Sequence, residues 1–242
     1  MLSDIWAQAA PRLPDALWVT VSLTVISAAI GLVLATTLAL TARASLAARA
    51  FAEAFSFVFR GTPLLVQLFL IYYGSGQFVA ELRTIGLWPW FRDAYFCAVL
   101  ALSLNTAAYS YELIKGALST LPKGHIEAAK AIGLPPRRTL VRIEAPYLIR
   151  TALPAYINEF IFLFQATSLV SLITIIDLTG LATAIANRTF RFMEVYLGAA
   201  VFYLLLVFII VRGFRILEQH MNKHMAGMPN RDSIGGELAG FR

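Results

Sequence analysis

The chain alternates between long uncharged runs and short polar connections. Residues 16–42 hold no charged side chain, and such a run of 27 is enough for a tilted helix across a bilayer. Residues 61–80 and 94–111 are also uncharged, at 20 and 18 residues. A fourth run, 151–176, is broken only by Glu159, and a fifth covers 195–211. Residues 44–60 read as a connection and the start of the second helix. Residues 81–93 read as a turn with interfacial Trp88 and Trp90. Residues 177–194 read as a polar return with Asp177 at its start, solvated or at a helix end. The pattern predicts an all-α polytopic membrane protein. It has an N-terminal segment at 1–15, five transmembrane helices within 16–220, a long loop at 121–150 and a tail at 221–242. No pair of similar halves, as many secondary transporters carry, is present.

Composition supports the membrane class. The chain has 242 residues, 59% hydrophobic and 14% charged, where a soluble domain carries about a quarter charged. The net charge of +6 is spread unevenly. Fifteen of the 20 Lys and Arg fall on the side shared by Arg43, the 121–150 loop and the tail, and five on the other. The positive-inside rule then sets the N-terminus outside and the loop and C-terminus in the cytoplasm. The charge therefore speaks for topology and not for nucleic acid. No basic n-region precedes the first apolar run, so no cleavable leader is expected. The single cysteine, Cys97, allows no internal disulfide. His125, His220 and His224 lack the further ligands of a metal site. There is no phosphate loop, nucleophile elbow or zinc helix signature. The sequence therefore predicts no catalytic, cofactor or metal residues and no ATP hydrolysis by this chain.

The loop contains a short helix with readable ends. Pro122 and Gly124 precede it, and Glu127 is expected in its first turn, where a carboxylate complements the helix dipole. Gly133 lies where a left-handed residue would end it, and Pro135-Pro136 forbid continuation. Its small face, with Ala128, Ala129 and Ala131, has little to bury against its own chain and suits a partner's groove. Lys130, Arg137, Arg138 and Arg142 suit anionic lipid with some contribution to docking.

Glu127-Ala128-Ala129, then Gly133, Ile143 and Pro146, resembles the EAA loop of bacterial ABC importer permeases. In that family the loop is the coupling element that docks on a cytoplasmic ATPase. Ala145 stands where a Leu commonly precedes the proline. The resemblance extends over roughly residues 16–220. Phe59-Arg60-Gly61-Thr62-Pro63-Leu64-Leu65-Val66-Gln67 is similar to the second-helix signature of polar amino acid permeases, the histidine and glutamine importer group. So are Leu104-Asn105-Thr106-Ala107-Ala108-Tyr109 with Glu112, Pro122-Lys123-Gly124, Ala152-Leu153-Pro154 with Asn158, and Thr167-Ser168-Leu169. The pattern looks closest to importers of basic amino acids and opines. Departures are His125 for Gln, Lys115 for Arg, and Gln165-Ala166 for a polar pair such as Lys-Asp. The resemblance implies a bacterial inner-membrane permease that moves a small amino acid-like substrate by alternating access. Its implied partners are an ABC ATPase dimer carrying ATP and Mg, a second permease subunit (copy or paralogue), a periplasmic substrate-binding protein and membrane lipid. A scaffold that couples without flux and a self-contained carrier are the other classes, separated by flux and by ATPase dependence.

Glu159 is the sharpest single residue. A carboxylate inside a span is costly unless it meets a partner or an aqueous cavity. With Asn158, and with Phe162, Leu163 and Ala166 near one helical face, it fits a contact for a cationic amino acid. An interhelical bond at a subunit interface is the alternative. Gln67, Asn105, Tyr109, Gln165, Thr167 and Ser168 complete the expected substrate pathway. Asn105, Thr106 and Tyr109 could equally bond across a helix interface. Tyr72 and Tyr73 fit an interfacial belt, and Glu112 is expected to pair with Lys115 or Lys123.

Overall fold

The structure is a computed structural model that describes residues 10–222, so Trp6, His224 and most of the tail lie outside the described residues. The elements are helical: α1 Leu13–Thr41, α2 Leu46–Gly61, α3 Leu64–Ser75, a 3-10 turn Gly76–Phe78, α4 Val79–Thr84, α5 Trp88–Phe91 and α6 Ala94–Ser119. They continue with α7 Lys123–Ala131, α8 Pro136–Thr139, a π turn Leu140–Glu144, α9 Ala145–Ala166, a 3-10 segment Thr167–Ile173, α10 Leu178–Thr189 and α11 Phe192–Asn222. Four stretches, Leu13–Thr41, Ala94–Ser119, Pro136–Ile173 and Phe192–His220, are each long and apolar enough to cross a membrane. A fifth crossing requires α2 and the Leu64–Thr84 stretch together, and these meet at a bend of 98°.

That bend corrects the expectation of one helix over 61–80. Pro63 has no N–H to continue α2, and the residue before a proline is pushed out of helical geometry. Thr62 is accordingly extended, at φ −111° and ψ 141°. Ser45 starts α2 by accepting a hydrogen bond from Ala48 N. The expected connection is thus only residues 42–45, and Leu46–Gly61 is a full helix on the near side of a corner.

Helix α6 runs through the middle and packs against α1, α2, α3 and α9. It buries 61% of its apolar stretch, against 11% for α11. Its buried positions are mostly small: Cys97, Ala98, Ala101, Ser103, Thr106, Ala107, Ala108 and Ser110. The facing stripe of α1 is small too, with Thr20, Thr24, Ser27, Gly31 and Ala35. Small residues let two backbones approach, which is how helices gain packing where no hydrophobic force separates protein from lipid. Gly31 marks the tightest point. A Cβ there would run into the Thr106 methyl and come within 3.2 Å of Ser103 O. Thr20 and Thr24 are buried, and each returns its hydroxyl to its own helix, at 2.9 and 2.8 Å from Ala16 O and Thr20 O.

The stretch expected to be a polar return is a packed helix. Leu178, Leu181, Ala182, Ile185 and Ala186 are buried at helical spacing, and α10 lies against α1 and α11. Asp177 caps it. Its carboxylate accepts from Gly180 N at 2.8 Å, Thr179 N at 3.2 Å and Tyr203 Oη at 3.3 Å. It is fully buried, so the helix-end expectation holds and the solvated one does not. Thr20 Oγ1 accepts from Leu178 N at 3.1 Å and ties the same corner to α1.

Gly31→Ala is expected to lower the thermal midpoint of the detergent-solubilised protein, because overpacking costs about 1–3 kcal/mol. Gly74→Ala, where a Cβ meets nothing within 4 Å, is expected to leave the midpoint unchanged or raise it. Equal midpoints for Gly31→Ala and wild type would remove the close-approach account of the α1–α6 contact.

Candidate functional site

Two places gather the residues singled out in the sequence: the 121–146 loop at the end of the bundle, and the middle of α9. In the loop, α7 begins at Lys123 directly after Pro122 and takes in Gly124, which was expected to precede it. Glu127 therefore sits in the second turn and not the first, and it is exposed. The C-terminus is as the sequence indicated. Gly133 has φ +73°. Its N–H donates to Lys130 O at 3.0 Å, and Leu134 N donates to Ala129 O at 2.9 Å. This paired closure satisfies two orphan carbonyls and needs a left-handed residue at the position of Gly133. Ala129 is buried, while Ala128 and Ile132 face outward. The nine-residue helix thus has both ends fixed, with Ala128 and, just past its end, Ile132 exposed outside and Glu127 exposed at the rim of a cleft.

The loop returns through α8, which begins on Pro136, and through the π turn. Pro146 follows in the first turn of α9. It has no N–H to bond back to Arg142, and a widened turn before it accommodates the ring. Ile143 is half-buried and Pro146 exposed. The neck of the loop is tied twice. Tyr147 Oη donates to Thr120 O at 2.8 Å. Arg43, just past the end of α1, grips Glu144 through both carboxylate oxygens, at 2.5 and 3.2 Å. The Glu144 side chain is 8% exposed and the Arg43 side chain 49%. The hydrogen bond to Glu144 raises the Arg43 pKa above its ordinary value, so the guanidinium stays charged. Sequence reasoning counted Arg43 only for topology and passed over Glu144. The signal was present, since Glu144 is the only acid between Glu127 and Glu159.

A second ionic group lines the same end. Glu53 pairs with Arg49 at 3.0 Å and Lys115 at 3.5 Å. Glu112 lies 3.5 Å from Arg60 and 3.8 Å from Lys115, and it accepts from Ser56 at 3.0 Å. Its partners are thus Lys115, as expected, and Arg60, with Lys123 not among them.

The residues expected along a pathway separate into two groups. Gln67 and Asn105 fill the inside of the α2–α3 corner. Gln67 Nε2 donates to Phe59 O at 2.7 Å and lies 3.0 Å from Thr62 O and 2.7 Å from Thr62 Oγ1. Asn105 Nδ2 donates to Phe59 O and Gln67 Oε1, both at 3.1 Å. These amides take up carbonyls that the helix break leaves open, which an apolar setting requires. Thr167 is buried and donates to Phe164 O at 2.7 Å. Tyr72 and Tyr73 reach Thr174 Oγ1 and Leu172 O, at 3.5 and 3.2 Å, and brace the left-handed turn at Thr174.

The second group lies on α9. Glu159 is half-buried and accepts from Thr106 Oγ1 at 2.8 Å. No cation lies within ion-pair distance of it among the described residues, and its other oxygen has no hydrogen-bond donor there. Asn158, Phe162 and Gln165 are exposed along the neighbouring edge, and Ser168 is half-buried beyond them. Leu163 is buried, so the face drawn from Glu159, Phe162, Leu163 and Ala166 divides between core and outer surface. Tyr109 is exposed under the Arg60 guanidinium, 5.6 Å from ring centre.

With this geometry in hand, comparison with known proteins gives consistent matches. Residues 27–223 match the family model described as binding-protein-dependent transport system inner membrane component. The nopaline transport system permease protein NocM of Agrobacterium fabrum is 42% identical over 227 residues, covering 93% of this chain and 92% of that protein. The octopine transport system permease protein OccM of Rhizobium radiobacter is 48% identical over 167 residues, 69% of this chain and 68% of that one. The arginine ABC transporter permease protein ArtM of Haemophilus influenzae is 44% identical over 162 residues, 67% and 70% of the two chains. Among solved structures, an amino acid ABC transporter crystallised with histidines matches at TM-score 0.75 and 31% identity, covering 87% of this chain and 94% of that one. The MetNI methionine ABC transporter in an inward-facing form matches at TM-score 0.66 and 17% identity, over 86% and 95% of the chains, and shares the fold.

Removing Arg43 alone would strand a buried carboxylate, whereas removing both partners leaves nothing unpaired. Arg43→Met is therefore expected to lower the thermal midpoint more than Arg43→Met with Glu144→Met. A double variant that melts below both single variants would contradict this reading of the pair.

Proposed function

The chain belongs to the family of binding-protein-dependent transport system inner membrane components, and from that membership we propose how its loop and its intramembrane carboxylate divide the work of transport. It is a multi-pass inner-membrane permease subunit of an ATP-binding-cassette importer for amino acids or opines. It is a transport component and not an enzyme, and ATP hydrolysis falls to a separate ATPase. The family implies an ATPase, a substrate-binding protein and a second permease as partners.

In our reading, the N-terminus lies in the periplasm and the loop in the cytoplasm, as the distribution of Lys and Arg favours. The exposed face of α7 docks in a groove of the ATPase, which works as a dimer and carries the ATP and Mg. The second permease subunit, a copy or a paralogue of this chain, completes the pathway. Closure of the ATPase dimer moves α7. Tyr147 and Arg43 fasten the neck of the loop to α6 and α1, so the displacement enters the spans as a rigid-body shift. ATP and the docked binding protein drive alternating access because each binds the two states with different affinity.

The substrate in this reading is a basic amino acid or an opine. One observation carries it: Glu159 sits mid-span without an ion-pair partner among the described residues, beside the exposed edge of Asn158, Phe162 and Gln165. A carboxylate kept there at such cost suits a passing cation. Ser168 and Tyr109 flank that route, while Gln67, Asn105 and Thr167 hold its walls in shape.

Two measurements test this. In proteoliposomes holding the complete importer, Glu127→Ala and Gly133→Asp are expected to keep ATPase activity while transport falls at least tenfold, since a docking contact and a left-handed backbone are lost. Normal transport per ATP in both would remove the coupling role of α7. Glu159→Gln is expected to cut uptake of arginine or an opine by roughly tenfold, with assembly of the complex unchanged. Equal uptake at matched complex levels would return Glu159 to an interhelical partner of Thr106.

A further inference from the structure

A cleft among the described residues lies outside the route just discussed. It encloses about 750 Å³ between the ends of α1 and α6, the first turns of α2, and α7. Its wall is apolar where Ala39, Ala42, Leu118, Leu121 and Ile126 meet, and its rim is basic, with Arg43, Arg49, Lys115, Lys123 and Lys130. Three acids also face it, Glu53, Glu127 and Glu144. Glu144 is taken up by Arg43, and Glu53 by Arg49 and Lys115. Lys123 and Lys130 have no ion-pair partner among the described residues, and neither closes on Glu127 between them. They stand seven positions apart on α7, on the side turned to the cleft.

We propose that this cleft is a binding site for the headgroup of an anionic phospholipid. The phosphate sits between Lys123 and Lys130, and the glycerol region lies on the apolar wall. Three features favour a lipid over another anion. The cleft opens where spanning helices end, which is headgroup level. Its surface combines an apolar wall with a cationic rim, the pattern of an amphiphile and not of a free ion. Leu40 and Leu46 are exposed on the adjoining turns of α1 and α2, and they give acyl chains an apolar way out. Such a lipid would hold α7 against the ends of α1 and α6, while Ala128 and Ile132 stay exposed outside the cleft. The site does not depend on which substrate is moved.

The test uses the full chain in nanodiscs of phosphatidylethanolamine and phosphatidylglycerol in equal parts, released for native mass spectrometry. Phosphatidylglycerol is expected to be retained preferentially. Lys123→Gln with Lys130→Gln is expected to lose that preference by roughly tenfold. Arg137→Gln with Arg138→Gln, on α8 outside the cleft, is expected to keep it. Thermal midpoints within error of wild type establish that both variants are folded. Equal retention in the two double variants would overturn the site in favour of general surface basicity. Saturable binding of inorganic phosphate with no retained lipid would reassign the cleft to a free anion. Protection of Lys123 and Lys130 from acylation only when the ATPase is added would reassign it to a protein contact.

Discussion

The close approach of α1 and α6 is the contact on which the remaining structure depends. Gly31 faces Thr106, and Thr20, Thr24, Ser27 and Ala35 continue the small stripe along α1. In a bilayer this contact draws nothing from the hydrophobic effect and rests mainly on packing, with a hydrogen bond from Tyr95 Oη to Ser22 Oγ at 2.9 Å beside it, so a single Cβ at its centre matters. With α1 held there, α6 offers its other faces to α2, α3 and α9, so both arms of the bent pair pack on it.

That bend shows how a break is made tolerable inside a membrane. Pro63 ends α2 and leaves backbone carbonyls without helical partners. Gln67 and Asn105 supply the missing donors at Phe59 and Thr62. Asp177 does the equivalent work where α10 begins, accepting two backbone N–H groups and the Tyr203 hydroxyl. Polar residues in these spans are therefore mostly committed to the fold. Glu159 differs because only one of its oxygens is engaged, by Thr106.

The loop is built on the same economy. Its helix is closed by Gly133, and its neck is fastened by Tyr147 to α6 and by Glu144 to Arg43. A loop anchored on two different spans moves them together, which a flexible tether would not do. A lipid in the basic cleft, as proposed above, would add a third hold on the loop.

The sequence by itself determined the all-helical membrane class, four of the apolar crossings and the short helix closed by Gly133. Those features follow from local chemistry: uncharged runs of spanning length, and a glycine followed by two prolines. It also marked Glu159, because an isolated charge in an apolar run is visible in one dimension. Only the tertiary structure decided what the polar residues meet. Gln67 and Asn105 are 38 positions apart and join in one corner, and Arg43 and Glu144 are 101 apart. Residues 177–194 read as a polar return, yet their apolar positions recur at helical spacing and pack against α1 and α11. A polar side chain in a span carries the same letter whether it lines a route or caps a broken helix. The distinction rests on which backbone groups lie within 3 Å of it, and that is set by how the helices cross.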